Sequence, residues 1–296
     1  MAEPTKKTAL ITGSTKGIGL ATAKALAQLG WQVILHGRSA ERCLAVREKI
    51  IAETGNPEVH FLVADLADLQ QVNQLADQVI EGFPNLSVLI NNAGMFSFQR
   101  QLNPDGLERT WVVNYLARFL LTKRLLGRLT KNGPSRIIDV SGLYHKKGHI
   151  HLGDPSLAEN YSMGEANNQT KLANVLHTFA LARRLDPKQV TVNTLHPGAV
   201  NTGSILNSNE FSRFAKALYR LMSIFLKNPE QGARTSVYLA TSPEVAQISG
   251  KYFVNEKITK PSARSQDPVL QDLLWEDSMD WLIEHNYVEG QVEVLR

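Results

Sequence analysis

The stretch Thr12-Gly13-Ser14-Thr15-Lys16-Gly17-Ile18-Gly19 closes a short apolar run at residues 8–12 and leads straight into a helical pattern at 18–29. Glycines at such a turn allow a tight bend, a close approach of the backbone to a pyrophosphate, and close packing on the helix that follows. The helix start adds unpaired N–H groups and the positive end of a dipole, both suited to phosphate oxygens. A glycine-rich turn alone is weak evidence. Between a strand and a helix it meets the structural condition attached to a dinucleotide-binding motif.

Outward from that turn, short β-rich apolar runs alternate with longer helical patterns. Strands are expected at 8–12, 32–36, 59–65, 88–91, 136–141, 190–196 and 251–254, and helices at 18–29, 40–54, 69–82, 106–129, 166–185 and 230–240. The strand runs are apolar on both faces, as in a parallel sheet covered by helices on each side. Regular alternation implies right-handed βαβ units and an α/β fold, a single doubly wound Rossmann domain over 1–296 with a seven-stranded parallel sheet. No repeat, low-complexity tract or Gly/Pro/Ser-rich linker divides the chain. Two stretches interrupt the alternation. One is a polar loop at 142–160, and the other an amphipathic insertion at 203–228 carrying Phe211, Phe214, Leu218, Leu221, Met222 and Phe225. Ligands of open α/β sheets bind beyond the carboxyl ends of the strands, so both stretches are expected to wall a pocket, 203–228 as a substrate lid.

Composition narrows the class. A chain of 296 residues, 43% of them hydrophobic, has ample apolar surface for one large core. The formal net charge of +4 is mild and the basic residues are scattered, so no nucleic-acid partner is expected. Cys43 is the only cysteine, which rules out an internal disulfide and suits a reducing compartment. The first eight residues are polar, and no run approaches the ~20 apolar residues of a spanning helix. A cytoplasmic protein with no membrane partner is expected.

The end of the second strand run speaks to the cofactor. NAD sites usually place a carboxylate there for the ribose 2′-hydroxyl. Here the sequence is His36-Gly37-Arg38-Ser39, with no acid until Glu41. Arg38 is placed to face a 2′-phosphate, and Lys16 adds a second cation, so NADP(H) is the expected cofactor.

Asn91-Asn92-Ala93-Gly94 after the fourth run, Lys171 in a later helix and His196-Pro197-Gly198 after the sixth complete a pattern. With Val113-Asn114-Tyr115-Leu116, Lys171-Leu172-Ala173-Asn174 and Ser249-Gly250-Lys251-Tyr252-Phe253, the sequence resembles the short-chain dehydrogenase/reductase family, and most of all its retinol-dehydrogenase-like branch. The likeness runs from Lys7 to about Trp281. It implies an oxidoreductase in which Gly13, Gly17, Ile18 and Gly19 hold the pyrophosphate, Lys16 and Arg38 face the 2′-phosphate, and Ser14, Thr15 and Ser39 also belong to the cofactor-binding set. Asp65 and Leu66 would contact adenine, and Asn91, Ala93 and Gly94 would line the ribose path. Lys171 would hold the nicotinamide ribose. Pro197, Gly198, Val200 and Thr202 would flank the nicotinamide, with Asn114 supporting Lys171 through the helix backbone and a water.

The same resemblance exposes a departure. Family members carry a tyrosine four residues before the lysine, one helical turn away, as general acid or base. Counting back from Lys171 gives Asn167, whose amide donates a hydrogen bond but gives up no proton near neutral pH. The family's serine belongs at the second position of the pair after the fifth strand, and Val140-Ser141-Gly142 puts Gly142 there. The candidate catalytic set is therefore Lys171, Asn114, Asn167 and Ser141. Ser141 is a weak substitute for the serine, because neighbouring strand residues face opposite ways. Tyr144, His145 and Tyr161 are the nearby stand-ins for the acid, each equally suited to a wall or loop. His145, His149 and His151 match no zinc spacing in a glycine-broken loop, so no metal is expected and they read as solvent-facing.

Two functions follow. One is NADP(H)-dependent redox chemistry on a carbonyl, an alcohol or an activated double bond. The other is a non-redox, cyclase-like or isomerase-like, or silent NADP(H)-binding protein of the same fold. Phe96, Phe98, Tyr144, Leu206, Phe211, Phe214 and Leu218 suggest a small apolar substrate, and the long helices at 106–129 and 166–185 suggest a homodimer.

Overall fold

The computed structural model describes residues 7–201 and 226–289. Its strands are β1 (Thr8–Ile11), β2 (Gln32–Gly37), β3 (Val59–Val63), β4 (Leu86–Asn91), β5 (Ser135–Val140), β6 (Val190–His196), β7 (Tyr252–Val254) and β8 (Lys257–Ile258). They form one sheet in the order β3-β2-β1-β4-β5-β6-β7-β8. The strands β1 to β7 run parallel and β8 runs antiparallel to β7. The sheet thus has eight strands, one more than the seven expected. Asn255 and Glu256 both have positive φ, 50° and 64°, so a two-residue turn folds β8 back on β7. Such turns usually advertise themselves through Gly, absent here.

Helices α1 (Gly17–Gln28), α2 (Ala40–Thr54) and α3 (Leu69–Gly82) follow the first three strands, close to expectation. The pattern at 106–129 divides. Its helix begins at Arg109, because the Glu108 carboxylate accepts from the N–H groups of Thr110 and Trp111. A π-helical turn, Val112–Leu116, then leads into α4 (Ala117–Lys131). α5 (Met163–Arg183) starts three residues before the expected 166, where Ser162 accepts from Glu165 N–H as the N-cap. After β6 come α6 (Pro229–Thr241) and α7 (Pro268–Glu284).

Alternate strand residues feed two cores. Leu10, Ile34, Leu89, Ile137 and Val192 pack with α3, α4 and α5 on one face. Ile11, Leu35, Ile90, Ile138 and Leu195 pack with α1, Ile50 of α2 and α6 on the other. Strands buried on both sides by helices are what the apolar runs required.

The helix α7 lies on the α4–α5 face. Trp275 meets Phe119 edge-on at 4.8 Å and stacks on His177 at 5.9 Å, and Tyr115 Oη shares a 2.8 Å hydrogen bond with Ser278 Oγ. The sequence offered a signal for it, the cap Asp267 followed by Pro268 and buried residues at Leu274 and Leu282.

Candidate active site

The order of strands reverses between β1 and β4, and the two ends are tied together there. Thr12 Oγ1 accepts from the N–H groups of Asn92 and Ala93, both at 3.0 Å. Asn92 Nδ2 donates to the carbonyls of Thr12 at 2.9 Å and Gly13 at 3.2 Å. Gly13 has φ +65°, and a Cβ on it would lie 2.9 Å from Ala93 Cα. A Cβ on Gly19 would lie 2.5 Å from Gly13 O. Both must be glycine for the turn to close. Side chains of Ser39, Asp68, Ser162, Asn228 and Asp267 cap α2, α3, α5, α6 and α7, whereas α1 has no side-chain cap. Its first-turn N–H groups, at Gly17, Ile18 and Gly19, suit an external phosphate. This uncapped start is the observation by which the residues present fit a dinucleotide.

A histidine holds this turn from behind. Gly13 N–H donates to His36 Nδ1 at 3.1 Å, which leaves His36 Nε2 as the protonated nitrogen, 3.2 Å from Ala64 O. Burial, and to a lesser degree the Arg38 charge, pushes the His36 pKa down to about 4, against the Ala64 bond and the Asp65 charge. The unfolded chain takes up this proton first, near 6.5. Stability from the neutral ring is therefore complete above about 6.5 and is lost as pH falls toward 4. Up to about 3 kcal/mol should disappear over that window. His36→Phe should flatten that part of the urea-midpoint profile, measured between pH 7 and 4.

The phosphate-end residues divide into two groups. Ser14 Oγ accepts from His36 N–H at 2.9 Å and Ser39 Oγ from Arg42 N–H at 3.2 Å, so both hydroxyls already serve the fold. Thr15 packs over Gly37. Lys16 and Arg38 are exposed at the carboxyl end of the sheet, next to α1 and β2. At the adenine end, Leu66 is buried, and Asp65 accepts from Ala67 N–H at 3.0 Å and from Arg109 Nη2 at 3.1 Å.

Lys171 and Asn114 converge on Gly94. A Cβ on Gly94 would lie 3.8 Å from Lys171 Nζ and 3.5 Å from Asn114 Oδ1. The π turn aims Asn114 inward, where Oδ1 accepts from Met95 N–H at 2.7 Å and Nδ2 donates to Met95 O at 2.8 Å and Thr170 Oγ1 at 3.3 Å. Thr170 Oγ1 in turn donates to the carbonyl of Asn167 at 3.0 Å. Gly142 has extended backbone, and a Cβ on it would meet the Lys171 stem at 3.7–3.9 Å. Burial, with the Arg118 charge second, lowers the Lys171 pKa to about 7.

Most of the residues expected as stand-ins are hydrogen-bonded within the fold. Ser141 Oγ donates to Lys171 O at 2.8 Å, pointing along α5 rather than at a ligand. Tyr161 Oη donates to Ser97 O at 2.7 Å, and Tyr144 is 57% exposed. His145, expected to face solvent, is fully buried. Its Nε2 accepts from Ser262 N–H at 3.1 Å, so its Nδ1 donates to Gly142 O at 2.7 Å. The loop is pinned by the segment after β8, a partner no local pattern reveals.

Behind Gly94 lies a buried charge cluster that sequence reading missed. Asp139 accepts from Asn91 Nδ2 at 2.9 Å and Thr178 Oγ1 at 2.8 Å, with His177 Nδ1 at 3.3 Å and Arg118 Nη1 at 3.8 Å. Burial alone would raise its pKa, but the His177 hydrogen bond and the Arg118 charge outweigh it and hold it low. The Arg118 guanidinium donates to Val140 O and Ala93 O, both at 3.3 Å. Asn91 thus turns its side chain into the cluster, and only its backbone borders the ribose path. At the far wall, Gly198 has φ +92° under the Lys227 stem, and Val200 bridges to Lys227 beside Pro197. Thr202 and residues 203–225 of the expected lid, Leu206, Phe211, Phe214 and Leu218 among them, lie outside the described residues.

Comparison with known proteins agrees with this geometry. The family model for short chain dehydrogenases matches residues 7–212. Human retinol dehydrogenase 13 is 39% identical over 277 residues, covering 92% of this chain and 83% of that protein. Human polyprenol dehydrogenase is 38% identical over 280 residues, covering 93% and 84%. The solved structure of a 3-oxoacyl (acyl-carrier-protein) reductase from Agrobacterium tumefaciens C58, with NADP bound, shares the fold. Its TM-score is 0.67 and its identity 24%, over 83% of this chain and 92% of that one. The chain belongs to the short chain dehydrogenase family of oxidoreductases, in its retinol-dehydrogenase-like branch. Among the described residues no helix is long and apolar enough to cross a membrane.

Proposed function

We propose that the chain is an NADP(H)-dependent oxidoreductase acting on a carbonyl, an alcohol or an activated double bond of a small apolar molecule. The observation that carries this is the meeting of Lys171 and Asn114 at Gly94, directly beyond an uncapped helix start. That arrangement positions a nicotinamide ribose while the chain keeps no phenol at 167 and no hydroxyl at 142. The relatives named for retinol and polyprenol favour an apolar alcohol or carbonyl, and the single buried Cys43 suits a cytoplasmic setting. The α4–α5 face expected to carry a homodimer is covered by α7.

When bound, NADPH supplies a hydride. The chain's residues do the rest: the α1 start and Gly13 seat the pyrophosphate, Lys16 and Arg38 take the 2′-phosphate, and Lys171 holds the ribose. Much of the rate then comes from holding the reacting carbons together, a proximity effect that survives the loss of an acid.

Two measurements test this. NADPH oxidation against retinal and a panel of apolar aldehydes and enones should show turnover, and product formed without nicotinamide absorbance change would overturn the redox assignment. Lys16→Ala with Arg38→Ala should weaken NADPH by ~10²–10⁴-fold and leave NADH unchanged, since each of the two charged hydrogen bonds to phosphate contributes ~1.5–3 kcal/mol. Equal loss for both nucleotides would remove these cations from the 2′-phosphate.

A further inference from the structure

We propose that Lys171 itself exchanges the proton with the substrate oxygen, in the place a tyrosine one helical turn upstream would occupy. This rests on the redox assignment above. The geometry favours it in three ways. First, the Lys171 stem lies across Gly142, at 3.7–3.9 Å from where a Cβ would stand, so residue 142 puts no side chain over the amine. Second, Nζ reaches the Gly94–Asn114 corner, and both ends of the Asn114 amide are occupied by Met95 and Thr170, leaving Asn114 no proton to relay. Third, three of the hydroxyl and ring groups nearby are committed: Ser141 to Lys171 O, Tyr161 to Ser97 O, His145 to Gly142 O and Ser262 N–H.

Burial, with the Arg118 charge second, keeps this proton labile. Arg118 faces it from α4, His196 from the end of β6, and His145 and Lys146 stand on the turn after β5. Asp139, the carboxylate behind them, is held by Arg118, His177, Asn91 and Thr178 rather than by Lys171. No ion pair to Lys171 occurs among the described residues. A buried ammonium beside a guanidinium gives up its proton near neutrality, where a general acid is most effective.

The step balances. In reduction, the hydride and its electron pair add to the carbonyl carbon, the C=O π bond opens, and the oxygen takes the proton from Nζ–H. The N–H bond breaks, the amine is left neutral, and water returns its proton. In alcohol oxidation the neutral amine would remove the hydroxyl proton while hydride leaves carbon for the oxidised nucleotide, NADP+, which takes up the electron pair. The competitors are the exposed Tyr144, the buried Tyr252 and His196, the last two with no hydrogen-bond partner on Oη and Nδ1 among the described residues, and of these only His196 is an imidazole. Burial and neighbouring cations hold its pKa down to about 4, so at neutral pH it carries no spare proton.

The experiment has an arm that needs no turnover. In chain labelled with 13Cε-lysine, one resonance, missing from Lys171→Met, should titrate with a midpoint near 7. A midpoint above 9 overturns the proposal. With p-nitrobenzaldehyde and saturating NADPH, Lys171→Arg should lose ~10²–10⁴-fold in kcat, because guanidinium keeps the charge but yields no proton. Lys171→Ala should regain rate with added ethylamine, in step with its ammonium fraction, and His196→Gln should stay within threefold. An active Lys171→Arg, no rescue, or a collapse in His196→Gln overturns it. NADPH fluorescence separates the two failures: an unmodified chain that binds no NADPH sinks the redox assignment, whereas bound NADPH with no lysine dependence sinks this one alone.

Discussion

Asn167→Tyr combined with Gly142→Ser is expected to raise NADPH-driven aldehyde reduction by ~10²–10⁴-fold over the unmodified chain. A positioned general acid lowers a barrier by roughly 3–5 kcal/mol, and an oxyanion donor by ~3–4 kcal/mol. The two act as a unit, so the sum is not expected and each single change should gain far less. Among the described residues, Gly142 has room for its half of the pair. Gly142 has extended backbone, and the Cβ of a serine there would meet only the Lys171 stem, at ordinary contact distance of 3.7 Å or more. Residue 167 is partly exposed, within a helix capped at Ser162. The phenol would also move the alkaline limb of the pH–rate profile away from the lysine. A double variant that folds and binds NADPH yet gains less than tenfold would show that the departures at 142 and 167 are not what limits this site.

The second large effect concerns stability. Arg118→Leu is expected to cost ~3–5 kcal/mol, read as a fall in urea midpoint at unchanged slope. The arginine is 4% exposed and serves three partners, the Asp139 carboxylate and the carbonyls of Val140 and Ala93. Removing it leaves a carboxylate buried with fewer partners and two strand-end carbonyls without a donor. Asp139→Asn in the same background should recover more than 1 kcal/mol, because it takes away the uncompensated charge. A loss below 1 kcal/mol for Arg118→Leu alone would mean that His177, Asn91 and Thr178 suffice.

The fold was legible because its decisive signals are local. The glycine turn, the apolar runs and the NNAG stretch each sit within one element, and the lysine and the vacant tyrosine position lie one turn apart on a single helix. What escaped depends on pairs distant in the chain. The Gly13–His36 hydrogen bond spans 23 residues and the Arg118–Val140 contact 22. His145, read as a loop residue, is buried because Ser262, 117 residues later, donates to it. Periodicity reports which face of an element is apolar, but not which polar groups will meet across the sheet. The π turn at Val112–Leu116 was likewise hidden, since one extra residue per turn leaves the apolar spacing of 106–129 looking like an ordinary helix.

The placement of α7 reaches beyond packing. Trp275, Ser278 and Leu282 are seated on Phe119, His177 and Tyr115, and His177 touches Asp139, so α7 buttresses the buried charge cluster around Asp139. An apolar wall that could have required a neighbouring subunit is sealed by the same polypeptide, and dilution takes nothing from it. Clipping the chain ahead of Pro268 would strip that wall bare and expose a carboxylate–imidazole pair that works only in the dry.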